Sequence, residues 1–362
     1  MILFLLILAA VLYAVEQYSL EHSLDGVTLD TTLGKTVVEP EEPFSWTMSV
    51  MNEKRMMVSY LRLKEQVPEG LLYAGSKIPV LEEKTSLTHS VLYLAGRQKT
   101  EVTREVMLTQ RGRYFFRGAS AEAGDFLGLD TRVRSYPELE EIVVKPRRCQ
   151  TKHLTTLLGG FLGEYAVKNS LLEDPVLSIG FREYTGREPF RSISWTQSAR
   201  YGRLLVKQYE CTADATCHIL LNMDCGKSFI DGEDEKTSVL MERCFGMVRS
   251  VCEELEQKKI PYRFLTNGII AGAVGNWKQV DEGLGAGHLE TVLEGLGRMT
   301  HEHQETMEEM FQKVCRGLHG TKSFIVVTPM RDEQMERLVQ GLEDRAGSRV
   351  LLLCADDHET DG

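Results

Sequence analysis

Several well-known chemical motifs are missing from this sequence. None of its eight cysteines forms a Cys-x-x-Cys pair, the spacing typical of zinc ribbons and thioredoxin-like redox sites. No Gly-x-Ser-x-Gly elbow of a serine hydrolase occurs. A phosphate loop is also incomplete, because Gly226 begins a Gly-Lys-Ser triplet but Leu221 stands where the motif requires its first glycine. The sequence therefore carries no local marker of zinc, acyl-transfer or nucleotide chemistry.

Positive charge is scarce in the chain as a whole. The 42 Lys and Arg residues are outnumbered by 53 Asp and Glu residues, which gives a formal net charge of -11. Nucleic-acid binding usually needs a basic face, so we expect no nucleic-acid partner. The 362 residues, 42% hydrophobic and 26% charged, have the composition of a folded protein and the length of two domains.

Lys and Arg are absent before Lys35, whereas residues 1–15 are uninterruptedly apolar. As a helix this run would reach about 22 Å, less than the roughly 30 Å hydrocarbon core of a bilayer. A cleaved signal peptide would need a basic start and a small-residue cleavage site. We therefore predict a short membrane anchor over residues 1–20 that meets the lipid bilayer through residues 1–15. A signal peptide and a packing helix stay open as alternatives.

The cysteines indicate a compartment for the rest of the chain. Cys244 and Cys252 share the apolar face of a predicted helix, which is typical of buried, reduced thiols. Reduced thiols are usual in the cytosol. We therefore expect a protein of the cell membrane whose soluble part lies in the cytoplasm.

The middle of the chain divides into a β-rich part and an α/β part. Over residues 22–147, short extended runs such as Phe44 to Val50 alternate apolar and polar residues, which predicts a β-sandwich domain. Over residues 211–362, helical and strand patterns alternate and predict an open, largely parallel sheet. Glycines leave the connector 148–210 without a clear helix or strand before its signature segment, and Gly268–Gly287 is interpreted as a surface loop.

A basic segment from Phe181 to Glu210 lies in this connector. Two interpretations of it stay open: an inter-domain clamp whose arginines bind carboxylates in bidentate fashion, or a docking surface anchored by Trp and Arg. The candidate binding residues are Arg182, Glu183, Tyr184, Gly186, Arg191, Trp195, Ser198, Ala199 and Arg200.

The same residues resemble the signature of a bacterial family known as domain of unknown function fifty-eight. The family's acidic pair after the glycine is replaced here by Arg187 and Glu188. The resemblance implies N-terminal membrane helices, a second half like a von Willebrand factor A domain, and work with a MoxR-type AAA+ ATPase and other membrane or envelope proteins. The expected fold class is thus α/β plus all-β: a membrane helix, a β-sandwich, and a doubly wound, Rossmann-like sheet of the von Willebrand A type.

The resemblance also directs attention to one possible metal site. Von Willebrand A domains often hold Mg²⁺ through an Asp-x-Ser-x-Ser triplet and a distal Thr, which correspond here to Asn222, Asp224 and Gly226 with Thr328. Mg²⁺ needs hard oxygen ligands in a near-octahedral shell, and one carboxylate with one amide supplies too few. We therefore interpret the site as degenerate and expect no metal and no cofactor.

The sequence shows no clear motif for a histidine-based zinc site or catalytic site either. His301 and His303, near His288, fall at a predicted helix start, where their rings would point to different sides and could not share a zinc ion. A Ser–His or Cys–His nucleophile has no local signal, because its partners can be distant along the chain.

These patterns lead to one expected function and two alternatives. The expected protein is a non-enzymatic, membrane-anchored adaptor or assembly protein that works with a MoxR-type ATPase through protein–protein contacts. One alternative is a Mg²⁺-dependent von Willebrand A-type adhesion or binding protein facing outside the cell. The other is a hydrolase whose catalytic residues the sequence does not reveal.

Overall fold

A computed structural model describes most of the chain and divides it into two compact units. Unit 1 comprises Met1–Arg147 and Leu293–Arg298, and unit 2 comprises Arg148–Val292 and Met299–Gly362. The described residues are 2–75, 80, 86–124, 130–171, 173–186, 190, 193–211, 216–225, 235–272, 279–316, 322–346 and 349–357.

Unit 1 begins with one helix and continues with short strands. These are α1 (Ile2–Glu21), β1 (Val27–Leu33), β2 (Val37–Val38), β3 (Phe44–Asn52), β4 (Val58–Gln66), β5 (Leu72–Tyr73), β6 (Ser86–Leu94), β7 (Lys99–Met107), β8 (Gly112–Phe116), β9 (Ala119–Gly124), β10 (Thr131–Tyr136) and β11 (Glu140–Val144). They form three sheets with the strand orders β1-β3-β7-β5, β10-β9-β4-β6 and β2-β11-β8. The pairs are antiparallel except β11 with β2.

The core of unit 1 gives it a β-sandwich-like character. Inward positions of β3 alternate with outward ones, so Phe44, Trp46 and Met48 are buried. Trp46 packs against Phe116 of β8 in one apolar cluster, while Leu61 of β4 belongs to a second. Burial on one face of β3 is what the period of two in its sequence dictates.

The prediction of an N-terminal membrane anchor is wrong. Within the part of the chain that the structure describes, no helix has the length and apolar character that crossing a membrane requires. The apolar run ends at Glu16, so its helical length of about 22 Å is short of a bilayer core of roughly 30 Å. The predicted location at the cell membrane, which depended on this anchor, is corrected by the same finding.

Basic side chains from the strands and loops of unit 1 form hydrogen bonds at the C-terminal end of α1. Lys54 donates to the carbonyls of His22 and Ser23, Arg132 donates to Glu21 O, and Arg134 donates to Leu24 O. The last carbonyls of a helix have no partner within the helix, and positive charge is favourable there. Burial lowers the pKa of Lys54, with Asp25 opposing the shift.

From α2 onward the chain alternates helices and strands. These are α2 (Lys152–Leu171), β12 (Glu173–Glu183), α3 (Trp195–Tyr201), β13 (Leu205–Cys211), β14 (Cys217–Leu221), α4 (Glu235–Gln257), β15 (Tyr262–Thr266), β16 (Gly268–Ile270), β17 (Gln279–Gly283), α5 (Ala286–Arg298), β18 (Met299–His303), α6 (Met307–Arg316), β19 (Ser323–Thr328), α7 (Glu333–Ala346) and β20 (Arg349–Cys354). The main sheet has the order β17-β15-β14-β19-β20, with two-stranded sheets β12-β13 and β16-β18 beside it.

The predicted overall architecture, a membrane helix, a β-sandwich and a doubly wound von Willebrand A-like sheet, is therefore wrong. The main sheet is mixed, because β17 pairs antiparallel with β15 at its edge. Two further antiparallel sheets, β12-β13 and β16-β18, lie outside it. β16 and β17 arise within Gly268–Gly287, where the sequence indicated a loop. Their few apolar residues give no strand signal, since an edge strand forms through backbone hydrogen bonds to its neighbour.

Two other segments also differ from their predictions. The connector contains α2, in which Gly159, Gly160 and Gly163 are exposed while Leu158 and Leu162 are buried. Each glycine costs a helix about 1 kcal/mol, and the buried residues of α2 supply the packing that offsets this cost. The histidines expected at a helix start lie instead in the strand β18.

Candidate functional site

The signature segment folds back on itself within unit 2. At the end of β12, Glu183 pairs with Leu205 of β13, and Tyr184 N donates to Leu204 O at 2.9 Å. Ser194 N donates to Leu205 O at 2.8 Å, just before α3 begins. The loop and α3 are thus anchored on the first residues of β13. Arg187, Glu188 and Arg191 of the signature lie outside the described residues.

Ser198 fastens α3 to β13. Its side chain is buried, and its Oγ accepts a hydrogen bond of 2.8 Å from Leu205 N. The helix ends at Gly202, whose φ of 69° is left-handed and whose N–H donates to Ser198 O at 2.9 Å. Such an end is favourable for glycine because it has no Cβ. Ser198 therefore has a structural role in this segment.

The side chains around this anchor point outward. Trp195 is 63% exposed and Phe190 is 70% exposed. We call the following set the exposed apolar surface: Phe181, Phe190, Trp195, Tyr201 and Leu204. These five residues belong to one segment of the chain, and contiguous exposed apolar patches, unlike isolated apolar residues, mark interaction sites.

Charged residues accompany the exposed apolar surface. Arg182, Ala199 and Arg200 are exposed. Arg203 forms an ion pair with Glu183, and both side chains are more than half exposed, so the pair contributes little to stability. Tyr184 is half-buried and lies 6.0 Å from the Phe190 ring, centroid to centroid. Gly186 has a φ of 84° that suits glycine in the turn after Tyr184.

The residues of the candidate metal site meet at the carboxyl ends of β14 and β19. Asn222 Nδ2 donates to Thr328 Oγ1 at 3.1 Å and to Asp224 O at 2.9 Å. Its Oδ1 accepts from Asp224 N at 2.8 Å and from Asn267 Nδ2 at 3.0 Å. Asn222, Asn267 and Thr328 are all buried. Gly226, the last position of the triplet, lies outside the described residues.

This network uses both ends of the Asn222 amide for internal hydrogen bonds. A cation at Asn222 would have to displace two donors from Oδ1, and Thr328 Oγ1 already donates to Met330 O at 3.0 Å. The sequence did not reveal Asn267, whose Oδ1 accepts a hydrogen bond of 2.7 Å from Met223 N. Its only signal was the Asn-Gly pair after β15, which is a turn pattern.

We expect Mg²⁺ to leave the melting temperature of the protein unchanged. The physical reason is that a cation at Asp224 would have to break the hydrogen bonds of Asn222 and compete with its own tightly held water. The measurement is thermal unfolding in millimolar MgCl₂ against NaCl of equal ionic strength. A rise specific to Mg²⁺ that disappears in Asp224→Asn would contradict this prediction.

The histidines have separate environments. His288 Nε2 lies 3.1 Å from Tyr262 O, and its ring contacts Tyr262 edge-on at 4.6 Å. His301 and His303 lie two residues apart on β18, a spacing that places both on one face of a strand. His301 Nε2 is 2.9 Å from Glu242 Oε1, and its Nδ1 is 3.5 Å from Ser238 Oγ. No group of three or more metal-ligating side chains occurs in the described ranges.

Two thiols of unit 2, Cys217 and Cys225, are poor nucleophiles in this fold. The seven cysteines whose side chains are described are free. Burial raises the pKa of Cys217 to about 12, and burial together with Asp224 raises the pKa of Cys225 to about 12. A thiol is reactive as its thiolate, so neither thiol is activated at neutral pH.

Comparison with known proteins gives only weak structural similarities. No protein-family model matches the chain, and no curated protein matches it by sequence. The CARDB domain of a Pyrococcus furiosus protein is similar over 33% of this chain and 91% of its own, with 15% identity and a TM-score of 0.22. A cohesin module of a Clostridium perfringens family 33 glycoside hydrolase is similar over 33% of this chain and 96% of its own, with 9% identity and a TM-score of 0.24. Similarity at these TM-scores carries no conclusion about function.

Proposed function

We propose that this protein is an adaptor or assembly factor, and that it docks a partner protein on the exposed apolar surface. The observation that carries the proposal is Trp195, which is 63% exposed on a helix that buries Ser198 alone among its residues. Because Ser198 is the one buried residue of α3, the other side chains of this helix contribute little to the stability of unit 2. Their exposure is therefore better explained by a partner than by the packing of unit 2.

The residue types support a contact of useful strength. Trp, Tyr and Arg are the residues that most often dominate binding energy at interfaces. Covering a Trp side chain removes on the order of 100 Å² or more of apolar surface from water, which contributes roughly 2–3 kcal/mol before the entropic cost of association. Arg182 and Arg200, exposed in the same segment of the chain, would attract carboxylates on the partner and orient it.

The resemblance to domain of unknown function fifty-eight supports a MoxR-type AAA+ ATPase as the partner. In this role the chain presents a surface, and the turnover belongs to the ATPase. The Mg²⁺-dependent adhesion alternative gains no support from Asn222, whose amide is engaged in internal hydrogen bonds.

We expect Trp195→Ala and Arg200→Ala each to weaken binding of the ATPase by about tenfold or more, equivalent to about 1.4 kcal/mol. The measurement is calorimetric titration of the full chain with the ATPase, and the melting temperature of each variant is recorded beside it. Tyr93→Ala is the matched control, since Tyr93 is a 57% exposed aromatic residue of unit 1. Its affinity should equal that of the parent chain.

Two outcomes would reject the docking surface. If both variants unfold or aggregate, the segment is a structural clamp and its exposed residues are needed for folding. If both fold normally and bind as tightly as the parent, the partner uses another surface.

A further inference from the structure

Three polar side chains converge at a different place in unit 2. Ser238 and Glu242 are four residues apart on α4, so they lie on one face of the helix. His301 of β18 lies between them, with Ser238 Oγ 3.5 Å from Nδ1 and Glu242 Oε1 2.9 Å from Nε2. The sequence separates His301 from Ser238 by 63 residues. The fold therefore assembles a Ser–His–Glu arrangement that no local motif marks.

The chemistry of the three groups fixes the role of each nitrogen. An ionised carboxylate can only accept a hydrogen bond, so Glu242 holds the proton of the neutral imidazole on Nε2. Nδ1 then carries the lone pair and faces the hydroxyl of Ser238. The ring of Phe245, one turn further along α4, is nearly parallel to the imidazole, with 6.2 Å between centroids and 12° between planes. Nucleophile, base and orienting acid stand in the order that nucleophilic catalysis requires.

The position of these residues in the fold favours ligand access. α4 follows β14, and Gln304 N, directly after β18, donates to Asn267 O at the carboxyl end of β15. Ligands of open α/β sheets bind beyond the carboxyl ends of the strands. Ser238 is the fourth residue of α4, where the helix dipole and the first N–H groups favour negative charge. An oxyanion that forms beside Ser238 would be stabilised by these groups.

We propose that Ser238 is a nucleophile activated by His301, and that the chain hydrolyses a carboxylic ester. This inference goes beyond the adaptor role, shares no residue with the exposed apolar surface, and differs from the expectation of a protein without turnover. The distance of 3.5 Å is long for a hydrogen bond, as is common before substrate binds.

The reaction proceeds in two balanced steps. Ser238 Oγ forms a bond to the carbonyl carbon while its proton passes to His301 Nδ1. The bond from that carbon to the alcohol oxygen then breaks, and the alcohol takes the proton from Nδ1. Water attacks the acyl-serine in the same way, so the acid leaves and Ser238 regains its proton. Glu242 stabilises the imidazolium that forms in each step.

The exposure of the site gives a substrate access from solvent. The side chains of His301 and Glu242 are 37% and 39% exposed, so an ester can approach from solvent. Val239, adjacent to Ser238, is 52% exposed and offers an apolar contact to an acyl chain. A short acyl group on an alcohol that stays in solvent fits these surroundings.

The test uses the full chain with a fluorophosphonate probe and with p-nitrophenyl acetate. We expect the probe to label Ser238, as located by peptide mass spectrometry, and Ser238→Ala to abolish both labelling and ester hydrolysis. His301→Asn should slow labelling by about a hundredfold, since general-base catalysis contributes at least that factor. Glu242→Gln should slow labelling less, because an amide oxygen can still accept from Nε2.

Controls separate this proposal from folding and from the adaptor role. Ser323→Ala, at a half-buried serine that begins β19, should be labelled as fast as the parent. Trp195→Ala should keep full labelling even where it no longer binds the ATPase. The proposal is overturned if the folded parent chain is not labelled, or if Ser238→Ala is labelled at the parent rate.

Discussion

Replacing Gly118 by alanine should destabilise unit 1 by about 2–5 kcal/mol. Gly118 joins β8 to β9 with a φ of +74°, a left-handed conformation that costs an L-residue roughly 1–2 kcal/mol. An added Cβ would overlap the carbonyl oxygen of Tyr136 and lie 2.7 Å from Glu138 N. Both are backbone atoms, so relief needs movement of the main chain, and overpacking of this kind costs a further 1–3 kcal/mol, roughly. The measurement is the free energy of unfolding by denaturant.

Gly70→Ala is the matched control for this experiment. Gly70 has a φ of +76°, almost the same as that of Gly118, but an added Cβ would have no neighbour within 4 Å. We expect a loss of only about 1–2 kcal/mol, the cost of the backbone conformation alone. The difference between the two variants isolates the steric clash with Tyr136 and Glu138. Equal losses would mean that the turn relaxes without cost, against this account.

The sandwich-like unit could be predicted because one face of its strands is buried. Alternation from Phe44 to Val50 predicted the inward residues of β3 correctly, and Trp46 among them belongs to an apolar cluster. A strand with one buried face has apolar and polar residues in alternation, which can be recognised in the sequence. The glycines of α2 and the polar residues of β17 carry no such period. α2 is held by the packing of Leu158 and Leu162, and β17 is held by backbone bonds to β15.

The length of the N-terminal apolar run was interpreted too generously. The family resemblance implied a membrane helix, whereas the calculated length of about 22 Å already fell below a bilayer core. The length of the apolar run was therefore better evidence than the family resemblance. A resemblance transfers the architecture of other proteins to this chain. Whether α1 can cross a bilayer depends on the length of its own apolar run.

The candidate sites, too, could be predicted from the sequence only in part. The signature marked Ser198 and Trp195 together, but only the fold separates the buried serine that anchors α3 from the exposed tryptophan beside it. Ser238, Glu242 and His301 could not be predicted as a group. Their proximity depends on β18 being a strand, and its sequence, Met-Thr-His-Glu-His, resembled the start of a helix. Long-range pairing decides such short segments, and propensity does not.

Replacing Asn267 by leucine should destabilise unit 2 by about 3 kcal/mol. Asn267 is fully buried, its Oδ1 accepts from Met223 N, and its Nδ2 donates to Asn222 Oδ1. Leucine has a similar volume but neither polar atom, so the buried Met223 N–H loses its partner. An unpaired buried donor costs about 1–3 kcal/mol, and the lost bond to Asn222 adds about 1 kcal/mol. The measurement is the free energy of unfolding, obtained from the hydrogen exchange of amides in β14 and β15.

Thr328→Val tests whether these residues act as one network. It removes the hydroxyl that accepts from Asn222 Nδ2 and donates to Met330 O, and we expect a loss of about 1–2 kcal/mol. Asn222 contacts both Asn267 and Thr328, so either variant alone leaves its amide partly unpaired and free to reorient. The double variant should therefore lose less than the two single losses added together, by at least about 0.5 kcal/mol. Strict additivity would show that Asn267 and Thr328 stabilise the strand ends independently, and that Asn222 does not couple β14 to its two neighbours.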